Sequence, residues 1–240
     1  ILNYSALKPY FDFVDFEELT KDSRTVWTDK NLLKVMTDRA NQTCWRNISR
    51  FCDVSVPCEN LDKFKDNIDW PLFSERIDDD FLITHFKEYP WDLEVLSSDY
   101  SRKESVIESL ILVQRDTQEE WNWAELEKRL PAEFVLAHLD IVKVNLARYT
   151  EDTEEIREAI LTYSDKRWDW EKVEKEFDLN FINNHILNLC DHLTFTLLFD
   201  RIFTDQYWTY TFTANPSFKI AIEKASKNNG TLSSAIFNDK

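Results

Sequence analysis

Three of the four histidines, His85, His138 and His185, occupy one register. Each lies fifteen residues after a tryptophan (Trp70, Trp123, Trp170) and four after a phenylalanine (Phe81, Phe134, Phe181). Imidazole is the side chain suited to proton transfer near neutral pH and to metal ligation, so regular histidines raise both chemistries. A spacing of four puts phenyl and imidazole on one helix face. Equivalent residues in successive helical units lie about 10 Å apart, whereas the ligands of one metal sit within ~4 Å of each other. The expected role is therefore structural, with imidazole nitrogens bonding backbone carbonyls between adjacent repeats. His192 breaks the register and is expected at the surface.

The other reactive residue types are equally unpromising for catalysis. Cys44, Cys52, Cys58 and Cys190 show no pair at zinc-ligand spacing and read as reduced structural thiols. Carboxylates such as Asp78–Asp80, Glu119-Glu120 and Glu154-Glu155 fall at helix starts and on polar faces, with no sign of the cleft that acid–base work needs. The only glycine is Gly230, which excludes Rossmann fingerprints, P-loops and nucleophile elbows, all of which use several glycines. No catalytic residue, metal or cofactor is expected, and the chain reads as a non-enzyme.

Lys and Arg number 29 against 45 Asp and Glu, a formal charge of −16 over 240 residues. This balance disfavours general binding to nucleic acid or an anionic membrane, and no apolar run is long enough to span a bilayer. One local exception is basic: Lys219, Lys224, Lys227 and Lys240 against Glu223 and Asp239. Trp208 lies close by, and together Lys219, Lys224, Lys227 and Trp208 form the expected binding site. The start Ile1-Leu2-Asn3, without Met or a signal peptide, reads as part of a longer protein, expected in the cytoplasm.

These residues must be positioned by a repeat. Aligned on Trp70, Trp123 and Trp170, three segments of 24 residues match without a gap, and a leucine closes each (Leu93, Leu146, Leu193). Apolar residues recur three and seven after each tryptophan, as Phe73, Leu126, Val173 and Ile77, Leu130, Phe177. Upstream, Ile68-Asp69-Trp70, Trp121-Asn122-Trp123 and Trp168-Asp169-Trp170 share one shape. Segments before the second and third carry apolar stripes, Ile107, Leu110, Ile111 and Ile156, Ala159, Ile160, Tyr163, as half-buried helices do. The anchor tryptophans are 53 and 47 residues apart.

The punctuation is helical. Pro71 and Pro131 suit a first turn. Ser101 to Glu104 and Asp152 to Glu155 have capping-box spacing or nearly so. Asp78–Asp80 favours the positive end of a helix dipole, and Asn215-Pro216 opens a last helix that Gly230 closes. The stretch Tyr207–Phe212 fits a strand or a helix. A degenerate copy is expected before the first repeat, with Phe16 and Trp27 eleven apart and Asn31 in the histidine position. Trp70, Trp123 and Trp170 are expected in the core, with Trp27, Trp45 and Trp208 nearer the surface.

The units Trp168-Asp169-Trp170-Glu171-Lys172-Val173 and Pro90-Trp91-Asp92-Leu93-Glu94-Val95-Leu96-Ser97, each with a Phe-x3-His segment nearby, resemble the tryptophan-rich WDW-x2-LS short repeats of giant-virus proteins and bacterial multidomain proteins, some of them defence-associated. The resemblance covers roughly 16–200. It implies a helical scaffold with a sensing or regulatory role beside an effector, and it transfers no catalytic residue. Only Trp91 is followed by a clear Leu-Ser, and Val144 and Asp191 stand where a second tryptophan would be, so an irregular array is expected.

The expectation is an all-α, irregular α-helical repeat array, a solenoid-like stack of short helices in one continuous domain. It comprises a degenerate copy over 1–69, copies over 70–122 and 123–169, and a copy with a divergent end over 170–240. The expected function is protein or peptide binding by an interaction, sensor or regulatory module, the partner being a separate protein or an effector domain of the same polypeptide. The alternative is nucleic-acid sensing through the local basic and aromatic groove.

Overall fold

The computed structural model describes residues 1–114 and 120–228. The parts of the sequence reading that involve Glu119, Gly230, Asp239 and Lys240 lie outside them. The architecture is all-α: among the described residues the only β pairing is a single bridge between Leu2 and Thr25. The stretch Tyr207–Phe212 is helical, within Gln206–Ala214. Asn215 and Pro216 begin the last helix, Pro216–Asn228. The chain forms two compact units, 1–129 and 130–240.

In the first unit, short helices start at acid or amide caps. Asp15, Asp69, Asp92 and Asn122 precede helices Phe16–Lys21, Trp70–Ser74, Leu93–Ser98 and Trp123–Leu126, and each side chain accepts a backbone N–H of the first turn. That bond satisfies one of the donors a helix start leaves open. Asn41 caps Gln42–Phe51 in the same way. Helix Phe16–Lys21 packs on Gln42–Phe51, which packs on Trp70–Ser74, then Leu93–Ser98, then Trp123–Leu126. Beside this succession, Asp79–His85 packs on Glu104–Val113, whose Ile107, Leu110 and Ile111 are buried.

Two polar devices join one helix of the succession to the next. In the first, a buried serine hydroxyl accepts the backbone N–H of the next cap: Ser49 from Asp69 at 2.9 Å, Ser74 from Asp92 at 2.9 Å, Ser97 from Asn122 at 3.1 Å. Ser49 and Ser97 also donate to carbonyls of their own helices, at Trp45 and Leu93. In the second, an arginine reaches back to the carbonyls that the preceding helix leaves open at its C-terminus. Arg76 donates to Ser49 and Cys52, Arg102 to Ser74 and Ile77, and Arg129 to Asp99 and Arg102, all at 2.7–2.9 Å. These joints recur at Asp69, Asp92 and Asn122, steps of 23 and 30 residues, so the fifty-residue sequence period spans two of them.

Ser97→Ala is expected to cost about 1–3 kcal/mol, because the Asn122 N–H is left in the interior without an acceptor. Urea unfolding followed by circular dichroism checks this. An unchanged midpoint would show that the hydroxyl is dispensable.

In the second unit, Asn145 precedes a 3-10 turn at Leu146–Tyr149, Thr153 caps Glu154–Thr162, and Asp169 caps Trp170–Glu176. The Thr150 hydroxyl accepts the Asp169 N–H at 3.3 Å and donates to the Leu146 carbonyl at 3.0 Å. At the next joint Glu174, itself buried, takes the hydroxyl's place. Its carboxylate accepts the backbone N–H groups of Thr194, Phe195 and Leu198. Phe195 has φ 66°, the left-handed region, disfavoured by roughly 1–2 kcal/mol for an L-residue with a Cβ. The Glu174 bonds and complete burial of the phenyl ring hold it there. Arg201 then donates to the carbonyls of Glu174 and Phe177, both at 2.7 Å. Helix Trp170–Glu176 packs on Thr196–Phe203, which packs on Gln206–Ala214.

The structure reverses the expected tryptophan roles. Trp91, Trp121 and Trp168 are buried, as are Trp27 and Trp45, while Trp70, Trp123 and Trp170 are half-buried. The cause is the entry into the helix. The residue before an Asp or Asn cap and the fourth helical residue have the spacing of a hydrophobic staple. Trp91 and Leu96, Trp121 and Leu126, Trp168 and Val173, and Ile68 and Phe73 are buried at these two positions. The tryptophan after the cap is left at the margin. In the degenerate copy Phe16 stands in this place after Asp15, half-buried like the three tryptophans.

Two expected starts also move. Helix Glu104–Val113 has Lys103 at its N-cap with no side-chain cap bond, and the Ser101 hydroxyl instead donates to Asp99. Pro131 is the cap itself, before Ala132–Ala137, rather than a first-turn residue.

Candidate functional site

The basic and aromatic residues near the C-terminus fall on two helices. Lys219, Lys224 and Lys227 are exposed on Pro216–Asn228, and Trp208 is half-buried on Gln206–Ala214, which packs against it. The lysines do not form an unopposed cluster. Lys224 is paired with Asp191, and that hydrogen bond holds its pKa above the usual lysine value. Trp208 sets its ring edge-on to Tyr207 at 5.0 Å and to Phe212 at 6.4 Å.

The exposed aromatics of this region are others: Phe203, Tyr207 and Tyr210, at 49%, 64% and 75% exposure. Phe203 ends the helix Thr196–Phe203, whereas Tyr207 and Tyr210 lie on Gln206–Ala214, and within a chain whose aromatics mostly build a core their spacing carries no sign of exposure. Asp200 and Asp205 are exposed on the same stretch. Asp205 accepts the Tyr207 N–H as a helix cap, whereas Asp200 makes no ion pair among the described residues.

The registered histidines do pack on their phenylalanines. Ring centroids lie 4.3 Å apart for Phe81 and His85, 4.7 Å for Phe134 and His138, and 5.1 Å for Phe181 and His185. Each sits where its helix ends. The expected imidazole bonds to a neighbouring repeat are replaced at His85 by a bond from Nδ1 to Glu88 of the same turn, at 2.7 Å. A ring already packed on Phe81 and facing a carboxylate three residues away has its local partner at hand. His192, expected at the surface, is half-buried and stacks on Trp170 at 4.5 Å with an interplanar angle of 11°.

All four cysteines are free thiols. Burial pushes the Cys52 thiol far up and the Cys58 thiol to about 11, so neither supplies a thiolate nucleophile at neutral pH. Among the described residues no three or more His, Cys, Asp or Glu side chains gather at metal-binding distance, and no helix is long and apolar enough to cross a membrane.

No protein-family model matches the chain, and no curated protein or solved structure shows significant similarity to it.

Proposed function

We propose that the chain is an irregular α-helical repeat array, solenoid-like in its succession of short helices, and that it works as an interaction module rather than an enzyme. It is a sensing or regulatory part of a longer protein and binds a protein or peptide segment rich in lysine and arginine. The observation that carries this reading is the exposure of Phe203, Tyr207 and Tyr210 on two helices that pack together, with Asp200 and Asp205 exposed on the same stretch of chain. Exposed tyrosines are characteristic anchors of protein interfaces. Their ring faces attract guanidinium and ammonium groups, and the flanking carboxylates and the overall charge of −16 act in the same direction. The hydroxyl and arginine joints support the array, since each fixes one short helix on its neighbour without glycine or a long loop.

The nucleic-acid alternative has less support. Its Lys224 is engaged by Asp191 and its Trp208 is packed against neighbouring rings.

Selection of random 16-residue peptides on the immobilised chain tests the proposal. Enrichment of Lys and Arg is expected, with affinities that fall at least tenfold in Tyr207→Ser/Tyr210→Ser, about 1.4 kcal/mol. Selected peptides that are acidic, or that bind the double variant equally well, would overturn it.

A further inference from the structure

We propose that a cavity in the 1–129 unit, walled by Trp27 and Trp45 and rimmed by Lys30, Lys34 and Lys63, binds a nucleoside phosphate. The cavity measures about 780 Å³, within the range of sites that enclose a small organic ligand. Its charge runs against that of the chain. Acids outnumber bases by about three to two overall, whereas here three lysines face only Asp38 and Glu59.

Lys30 and Lys34 are also placed where stability alone disfavours them. Lys30 is the first residue of helix Lys30–Arg39, and Lys34 follows one turn later, so both stand toward the positive end of the dipole. They are spaced as like-charged neighbours. Among the described residues Lys30, Lys34 and Lys63 make no ion pair. A bound phosphate answers all three features at once.

The walls specify the rest of the ligand. Trp70, Trp91 and Trp168 donate their indole N–H groups to backbone carbonyls. Those of Trp27 and Trp45 have no hydrogen-bond partner among the described residues, so they remain for solvent or a ligand acceptor. The indoles with Leu33 and Val56 offer an apolar surface to a heterocyclic ring. Asp38 and Glu59 can accept hydrogen bonds from sugar hydroxyls or an exocyclic amine, and they oppose a bare polyanion. The chain's overall negative charge likewise repels a nucleic-acid strand, which favours a single nucleotide. The inference is independent of the peptide-binding surface, which lies in the other unit.

Calorimetric titration of the full chain with AMP, ATP, adenosine, inorganic phosphate and a twelve-nucleotide single strand tests it. Saturable binding of AMP or ATP is expected, at least about tenfold tighter than adenosine or inorganic phosphate. It should weaken about tenfold or more in Lys34→Gln/Lys63→Gln, whose far-UV circular dichroism should be unchanged because both side chains are exposed. Lys219→Gln/Lys227→Gln should bind as the parent does. The proposal is overturned by no saturable nucleotide binding, by inorganic phosphate binding as well as AMP, by the strand binding more tightly than either nucleotide, or by indifference to the Lys34 and Lys63 substitutions.

Discussion

Arg102→Ala is expected to lower the stability of the 1–129 unit by about 3–5 kcal/mol, the range for removing one partner of a buried ion pair. Arg102 is 7% exposed. Its guanidinium donates to the carbonyls of Ser74 and Ile77 at 2.8 Å and faces Asp79 at 2.5 Å and Asp99 at 3.0 Å. Without it, two interior carbonyls lose their donor and Asp99, only 13% exposed, loses its counter-charge. Arg102→Lys keeps the charge but not the planar fork, so it should be intermediate, at about 1–2 kcal/mol. Urea unfolding of the full chain, followed by circular dichroism, gives both values. An Arg102→Ala midpoint equal to the parent's would show that the arginine joint contributes nothing.

Trp121→Ala is expected to cost about 3–5 kcal/mol, as for other fully buried large aromatics. Trp123→Ala, two residues away, should cost less, about 1–2 kcal/mol, because its side chain is only partly removed from water. Trp121 is 3% exposed and packs against Phe86 at a centroid distance of 6.2 Å. Trp123 is the first residue after the Asn122 cap and is half-buried. The order of the two costs is the discriminating quantity. Equal losses, or a larger loss at Trp123, would contradict the staple arrangement and restore the alignment-based expectation that the tryptophan after the cap is the core residue.

Legibility differed from residue to residue. Ile107, Leu110 and Ile111 were readable as a buried stripe because helical periodicity reports one-sided burial directly. The start at Asp78 was readable because capping depends on neighbouring residues only. Arg76, Arg102 and Arg129 were not. In sequence each is one more basic residue in a polar run, and its place in the structure depends on carbonyls 24–30 residues away. The exposure of Phe203, Tyr207 and Tyr210 was hidden for the opposite reason: composition predicts that aromatics are buried, and only the packing of their helices leaves these three outside. The lysine-rimmed cavity has no sequence signature because Lys63 joins Lys30 and Lys34 only after Lys30–Arg39 and Leu61–Phe64 are placed.

By itself, then, the sequence determined the helical class, many of the helix starts, the recurrence of the Trp-x-Trp units and the pairing of each registered histidine with its phenylalanine. All are local, set by spacings of a few residues. Tertiary structure decided which tryptophan of each unit goes inside, which arginines close the helix ends, and which aromatic and basic residues remain at a surface. A side chain's burial depends on what the rest of the chain lays over it, and no window of neighbouring residues contains that.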